Sequence, residues 1–255
     1  MDTHVHLDAA EFVGDRAEVY AAARHAGVST LVVPSVDVAS MEAVTQCCRD
    51  YPGCFPAYGI HPLYVGAADE ADLEQVRQRL LAGRAVAVGE IGLDFFVPGF
   101  DEARQIRFFS AQLELARDLQ LPVLLHVRRG IDRVLSQLRR IPVPGGIAHA
   151  FNGSRQQADA FLGLGFKLGF GGAMTYPRAR RIRELAASLP RSAIVLETDA
   201  PDMAPEWARG ERNVPAHLPR VASVLAELRG APLDDIAVAT RENALAALPR
   251  LKTCS

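Results

Sequence analysis

The amino-acid sequence predicts an α/β fold, a single (β/α)8 TIM barrel that occupies residues 1–255. Short apolar runs of strand length alternate along the whole chain with longer stretches of helical periodicity. The chain of 255 residues is long enough for eight such units, and no linker or low-complexity segment interrupts them. A doubly wound open sheet is the alternative. No Gly-x-Gly-x-x-Gly pattern follows the first predicted strand, which favours the barrel.

The predicted strands are short and largely apolar, as expected for parallel strands that are covered on both faces. The first has almost no lead-in, because the chain reaches two histidines almost at once. The remaining seven recur at regular spacing. The eight segments are Met1–Asp8, Thr30–Pro34, Phe55–Ile60, Ala85–Asp94, Pro122–His126, Gly146–His149, Phe166–Phe170 and Ala193–Thr198.

The predicted helices lie between these strands and after the last one. Gly27 and Gly83 are placed to end helices, and Ser154 is placed to cap one. The predicted helices are Asp15–Ala26, Met41–Asp50, Asp69–Ala82, Asp101–Leu119, Ile131–Arg140, Ser154–Leu164, Arg178–Leu189, Pro215–Arg229 and Leu233–Leu248.

Composition limits the classes of protein that fit. A formal net charge of −2 provides no bulk attraction for nucleic acid, so any phosphate must be bound by local groups. No apolar run is long enough to cross a bilayer, and the first residues lack the pattern of a signal peptide. The sequence therefore predicts a soluble cytoplasmic protein without a membrane partner.

Six side chains that can bind a metal follow or end predicted strands, where barrel enzymes build their sites. Two of them, His4 and His6, lie on the same face of the first strand because side chains alternate there. Glu90 follows an apolar run, where a carboxylate is costly unless it is paired or bound to a cation. The predicted metal ligands are His4, His6, Glu90, His126, His149 and Asp199.

Four imidazoles and two carboxylates exceed the needs of one four-coordinate ion, so the sequence predicts two divalent cations. Glu90 is the candidate bridge, and Asp199 is the candidate acceptor of a proton from the attacking water, which makes these two the predicted catalytic residues. The ligand types leave Mg, Mn and Zn open. His4, His6 and Asp199 are assigned to one cation, and His126 and His149 to the other.

Further polar residues near the predicted strand ends could contact a substrate. The arginines could hold a phosphate, and Asn152 leads into a helix N-terminus. An ordinary solvated rim explains the same residues as well as a binding role does. Asp94 and Glu197 could instead orient histidine ligands. The candidate substrate contacts are His61, Arg128, Asn152 and Arg212.

These residues lie in blocks that resemble the TatD-type metal-dependent hydrolases, usually described as deoxyribonucleases with an amidohydrolase-like barrel. The resemblance implies a (β/α)8 barrel, two divalent cations on the six ligands and hydrolysis of phosphodiesters. Val5 and Asn152 depart from the family pattern, in which cysteine and serine are usual. The matching blocks are residues 2–8, 59–62, 88–94, 121–128, 149–154 and 197–201.

The leading hypothesis is a deoxyribonuclease that works in exonuclease mode on DNA or another phosphodiester. A metal-dependent ester or amide hydrolase, acting for example on an aminoacyl-tRNA or a lactone, would use the same ligands. A non-catalytic binding protein that keeps metal for stability is a third reading. It is disfavoured because all six ligand positions hold competent residues.

Overall fold

The computed structural model describes residues 1–252 and has an α/β fold built around one parallel sheet. Each strand pairs with the next one in the chain, and the sheet curls into a TIM-barrel-like arrangement. The predicted fold class is confirmed. The strands are β1 (Leu31–Pro34), β2 (Cys54–Tyr58), β3 (Ala87–Asp94), β4 (Val123–Arg128), β5 (Gly146–Ala148), β6 (Phe166–Phe170) and β7 (Ile194–Leu196).

The opening segment, predicted as the first of eight strands, lies between β1 and β7 but is not a regular strand in the described chain. The Asp2 amide donates to the carbonyl of Thr30 at 2.8 Å, and the Thr3 amide donates to the carbonyl of Leu196 at 3.1 Å. The next amide, that of His4, donates to the Asp2 carboxylate at 3.3 Å. The Asp2 carboxylate thus takes the place of the backbone carbonyl that would accept from His4 in a regular strand. The segment still forms backbone hydrogen bonds to both β1 and β7.

Nine α-helices alternate with the strands of residues 1–252, in the order that the sequence predicts. Asp69 and Ser154 begin their helices with capping boxes, because each side chain accepts from the third helical amide. No helix within residues 1–252 is both long and apolar enough to cross a bilayer. The helices are α1 (Arg16–His25), α2 (Ser40–Asp50), α3 (Glu70–Leu81), α4 (Glu102–Asp118), α5 (Ile131–Arg140), α6 (Arg155–Gly163), α7 (Arg180–Ser188), α8 (Leu218–Arg229) and α9 (Leu233–Ala247).

The core has two parts, since alternate strand residues face opposite sides of the sheet. The larger part packs the strands against the surrounding helices. The smaller part joins one side chain from each of six strands to α9, whose Asn243 amide donates to the carbonyl of Ile194 at the start of β7. Helix α9 therefore covers the amino ends of the strands, and the carboxyl ends are left for the site. The six strand residues are Val32, Ala57, Ala87, Leu124, Ile147 and Val195.

Candidate metal centre

Glu90 lies at the centre of the histidine cluster, on β3, whose eight residues are all buried. Its side chain is 3% exposed, and imidazoles from four different segments of the chain face it. The two carboxylate oxygens face different groups of histidines. Glu90 thus divides the cluster into two parts.

The first part is formed by the opening segment and the loop after β7. His4 Nε2 lies 3.1 Å from Glu90 Oε2, and His6 Nε2 lies 3.6 Å from the same oxygen. Asp199 Oδ1 lies 3.6 Å from His4 Nε2 and 3.7 Å from His6 Nε2. Two imidazole nitrogens and two carboxylate oxygens therefore meet in one place.

The second part gathers around Glu90 Oε1. His126 Nδ1 and His149 Nε2 each lie 2.9 Å from this oxygen, and His61 Nε2 lies 3.6 Å from it. The structure thus brings all six predicted ligands together and adds His61, which the sequence suggested only as a substrate contact. Among residues 1–252, the triads with metal-binding spacing are His4–His6–Glu90, His4–His149–Asp199 and His61–Glu90–His126.

The charge of the cluster is set by Glu90. Burial opposes ionisation of this carboxyl, but His149 and His4 hold its pKa well below the ordinary value. Burial would also lower the pKa of His149, yet Glu90 and Asp199 raise it to about 10. The pKa of His6 is likewise raised to about 9, since Glu90 outweighs burial. Protons on these two imidazoles therefore balance the buried carboxylates, and divalent cations could take the place of those protons.

His4 and His61 are held neutral. Burial and the neighbouring His149 lower the pKa of His4 to about 4, and burial lowers the pKa of His61 to about 3. The rings of His4 and His149 stack with centroids 4.0 Å apart. In each of these two rings, buried Nδ1 has no hydrogen-bond partner in the described chain. Neutral, closely packed imidazoles around an ionised carboxylate are a donor set that suits divalent transition metals.

Asp94 orients one of the histidines. Its Oδ2 lies 3.0 Å from His126 Nε2, and its other oxygen accepts from the Phe96 amide at 2.9 Å. The Asp94 amide donates to Gln105 Oε1 on α4 at 2.9 Å. With one nitrogen beside Asp94, His126 presents its other nitrogen to Glu90. The position of Asp94 agrees with the orienting role that the sequence suggested.

Glu197 lies behind the centre and is fully enclosed. Burial raises its pKa to about 8, and its Oε2 has no hydrogen-bond partner in the described chain. Oε1 accepts from the Ala150 amide and lies 3.9 Å from His149 Nδ1. Gly169 leaves space for this carboxylate, because a Cβ there would lie 2.1 Å from Oε2. Glu197 therefore supports the backbone next to His149.

Asp199 follows β7 with a left-handed backbone, φ 56°, a conformation that aspartate tolerates better than most residues. Its amide donates to the carbonyl of His4 at 2.9 Å. Asn213, which stands next to Arg212 as a weaker candidate in this loop, holds the same loop in place. The side-chain amide of Asn213 donates to the carbonyls of Thr198 at 2.8 Å and Asp202 at 2.9 Å.

The substitution Asn213→Ala is expected to destabilise the protein by about 2–4 kcal/mol, because it leaves several buried backbone groups without partners. Asn213 is 1% exposed, so water cannot replace the lost donors. Urea unfolding followed by circular dichroism measures the change. Asn152→Ala is the matched control, since Asn152 is exposed and its side chain bonds only Arg181. Equal midpoints for the two variants would contradict this role.

Two of the predicted substrate contacts lie apart from the cluster and have other partners. Arg212 bonds both oxygens of Asp15 and stacks on Phe12 with its Cζ 4.7 Å from the ring centroid. Asn152 Oδ1 accepts from Arg181 at 2.7 Å. Arg128 is exposed at the end of β4 and bonds no carboxylate within the described chain.

Comparison with known proteins identifies the family. A sequence profile of the TatD related DNases matches residues 1–249. The chain belongs to this TatD family. The metal-dependent hydrolase YjjV of Escherichia coli K12, which carries the description uncharacterized, is 41% identical over 95% of each chain. The 3'-5' ssDNA/RNA exonuclease TatD of the same organism is 32% identical over 95% of this chain and 96% of that protein. The resemblance seen in the sequence blocks is confirmed.

Solved structures agree with this assignment. The crystal structure of E. coli YjjV, a TatD homologue, superposes with a TM-score of 0.94 at 40% identity over 97% of each chain. A TatD family hydrolase from Entamoeba histolytica superposes with a TM-score of 0.85 at 17% identity over 97% of each chain, which supports the fold alone. The protein is a metal-dependent hydrolase of the TatD family.

Proposed function

We propose that this TatD family member hydrolyses phosphodiester bonds of nucleic acid, DNA foremost, and removes nucleotides from a strand end. The observation that carries the proposal is that the two carboxylate oxygens of Glu90 face two separate groups of histidines. The distances from these oxygens to the histidine nitrogens are 2.9–3.6 Å. Such a carboxylate suits a paired-cation centre, which is a common solution for phosphoryl substrates. The relatives named as exonucleases for single-stranded DNA and RNA support the same substrate class.

In this proposal Glu90 would be shared by two divalent cations, with His4, His6 and Asp199 holding one and His126 and His149 holding the other. The buried imidazoles favour Zn or Mn, while Mg would draw more on the carboxylates. When bound, such a pair would stabilise the negative charge that develops on the phosphoryl oxygens and would make water more acidic.

Asp199 is the proposed proton acceptor. Its side chain is 14% exposed, against 3% for Glu90, so it borders the open mouth of the barrel while Glu90 is enclosed. A carboxylate at the boundary between the cluster and solvent can take the proton of an attacking water and pass it outward. The backbone bond from Asp199 to His4 keeps this carboxylate beside the first histidine group.

Among the candidate substrate contacts, Arg128 and His61 have the better support. Arg128 follows the His126 strand, is exposed and carries a guanidinium that suits a phosphate. His61 lies 3.6 Å from Glu90 Oε1, where it could meet a substrate oxygen or complete a ligand set. For Arg212 and Asn152, contact with a substrate would require exchange of their present bonds to Asp15 and Arg181.

An assay on end-labelled single-stranded DNA tests the proposal. Protein loaded with Mn, Mg or Zn is expected to shorten the strand stepwise, and a chelator is expected to reduce the rate to background until metal is restored. Turnover of carboxylic esters or amides without DNA cleavage would instead establish an ester or amide hydrolase. Absence of turnover on every substrate, with metal bound, would support a binding protein.

A further inference from the structure

The loop after β3 displays an aromatic side chain at the mouth of the barrel. Phe96 is 42% exposed, and its neighbours Phe95 and Phe100 stack on one another with centroids 4.8 Å apart. Phe100 is 38% exposed, so the loop presents apolar surface to solvent rather than to the core. Exposed aromatic surface beside a catalytic centre is typical of a ligand-binding surface.

Two arginines lie against the Phe96 ring. The Cζ atom of Arg128 lies 3.5 Å from the ring centroid, and that of Arg129 lies 4.5 Å from it. Within residues 1–252, neither guanidinium forms an ion pair with a carboxylate or a side-chain hydrogen bond. The Phe96 ring therefore positions two guanidinium groups, whose N–H groups are available to bind an anion.

This group of three side chains is connected directly to the metal centre. The Phe96 amide donates to Asp94 Oδ1, and the other oxygen of Asp94 lies 3.0 Å from His126 Nε2. The Phe95 amide donates to the carbonyl of Arg128 at 2.8 Å, which fixes the loop to β4. A substrate held on Phe96 would thus lie next to the histidines of the second group.

The opposite side of the mouth is acidic. Asp8 follows the opening segment and Asp202 follows β7, whereas the arginines follow β4, halfway around the sheet order. Asp202 also lies close enough to Asp199 for the two carboxyl groups to interact, so acidic groups are concentrated there. A polyanion would therefore be directed towards the arginine side and away from the acidic side.

We propose that Phe96, Arg128 and Arg129 form a nucleotide seat that binds the unit adjacent to the scissile phosphodiester and selects single strands. This rests on the proposed nuclease function. The aromatic and guanidinium planes stack on a base, while guanidinium N–H groups hold the neighbouring phosphate. Bases within a duplex are already stacked on their neighbours, so only an unpaired end can use the seat.

Steady-state kinetics of Phe96→Ala tests the seat with a labelled single-stranded oligonucleotide and with a strand of the same length whose terminal units are abasic, which offers a phosphodiester without a base or any other aromatic ring. Stacking of one base is worth on the order of tenfold in affinity. KM for the oligonucleotide is therefore expected to rise about tenfold more than KM for the abasic strand, with kcat little affected. Phe96→Trp, which keeps a stacking surface, is expected to restore the oligonucleotide KM.

Val97→Ala is the matched control, because Val97 is 37% exposed in the same loop and has no aromatic ring on which a base could stack. Equal oligonucleotide KM values for Phe96→Ala and Val97→Ala would overturn the seat. An equal rise in KM for both substrates in Phe96→Ala would overturn it as well. Arg128→Ala and Arg129→Ala are each expected to reduce the salt dependence of binding by about one unit of slope. If the unaltered protein cleaves neither strand, the nuclease proposal fails as well, whereas cleavage of both strands with equal effects of Phe96→Ala overturns the seat alone.

Discussion

The substitution Glu90→Gln is expected to reduce kcat/KM by a factor on the order of 10³ or more, with the fold retained. The neutral amide has the same shape as the carboxylate, but it carries no negative charge to balance the positive charge of the imidazoles or cations beside it. It also loses one acceptor atom, so the two histidine groups no longer share a bridging anion. Elemental analysis is expected to show less than the two cations per chain proposed for the unaltered protein.

Glu197→Gln is the matched control for this experiment. Glu197 is also buried at the mouth, but it contacts the backbone of Ala150 and lies 3.9 Å from a single histidine nitrogen. A residue that only supports a ligand is expected to cost about 10–100-fold when it is replaced. If Glu90→Gln lost no more activity than Glu197→Gln and kept its metal content, the bridging role of Glu90 would be wrong.

The substitution Asp199→Asn is expected to lower kcat by about 10²–10³-fold, while KM changes little. The amide can occupy the same place beside His4 and His6, but it cannot accept a proton from water at neutral pH. Single-turnover cleavage of a labelled strand separates this loss in the chemical step from any change in substrate binding.

Asp202→Asn provides the comparison for Asp199→Asn, because it removes an acidic group from the same loop, whereas Asp199 is the residue that lies 3.6 Å from His4 Nε2 and 3.7 Å from His6 Nε2. This control is expected to remain within about threefold of the unaltered rate, as substitutions outside the centre usually do. A large loss in both variants would mean that the net charge of the loop, rather than proton acceptance by Asp199, governs the rate.

Much of the fold could be predicted because its signals are local. Helix caps such as Asp69 and Ser154 and apolar strands such as β3 and β4 are determined by neighbours a few residues away. The candidate ligands could be predicted for a related reason. In a parallel barrel, the carboxyl end of every strand opens at the same mouth, so position along the strand already indicates a shared site.

Side chains in loops could not be assigned in this way. Arg212 was predicted to meet a substrate, yet it bonds Asp15, which lies 197 positions earlier in the chain. Asn213 could be placed in a loop by its sequence position, but not as a residue whose side chain bonds backbone groups of Thr198, Asp202 and Val214. Partners of this kind come together only when the whole barrel has closed, so the spacing of residues along the chain does not indicate them.

The sequence by itself determined the α/β class, the order of the elements, the membership of the TatD family and the set of six metal-competent side chains. Only the tertiary structure decided that Glu90 directs one oxygen to each histidine group, that His61 joins the second group and that two arginines lie against Phe96. Side-chain type and strand position are properties of the chain, whereas the distances between atoms on different strands depend on how the sheet curls and closes.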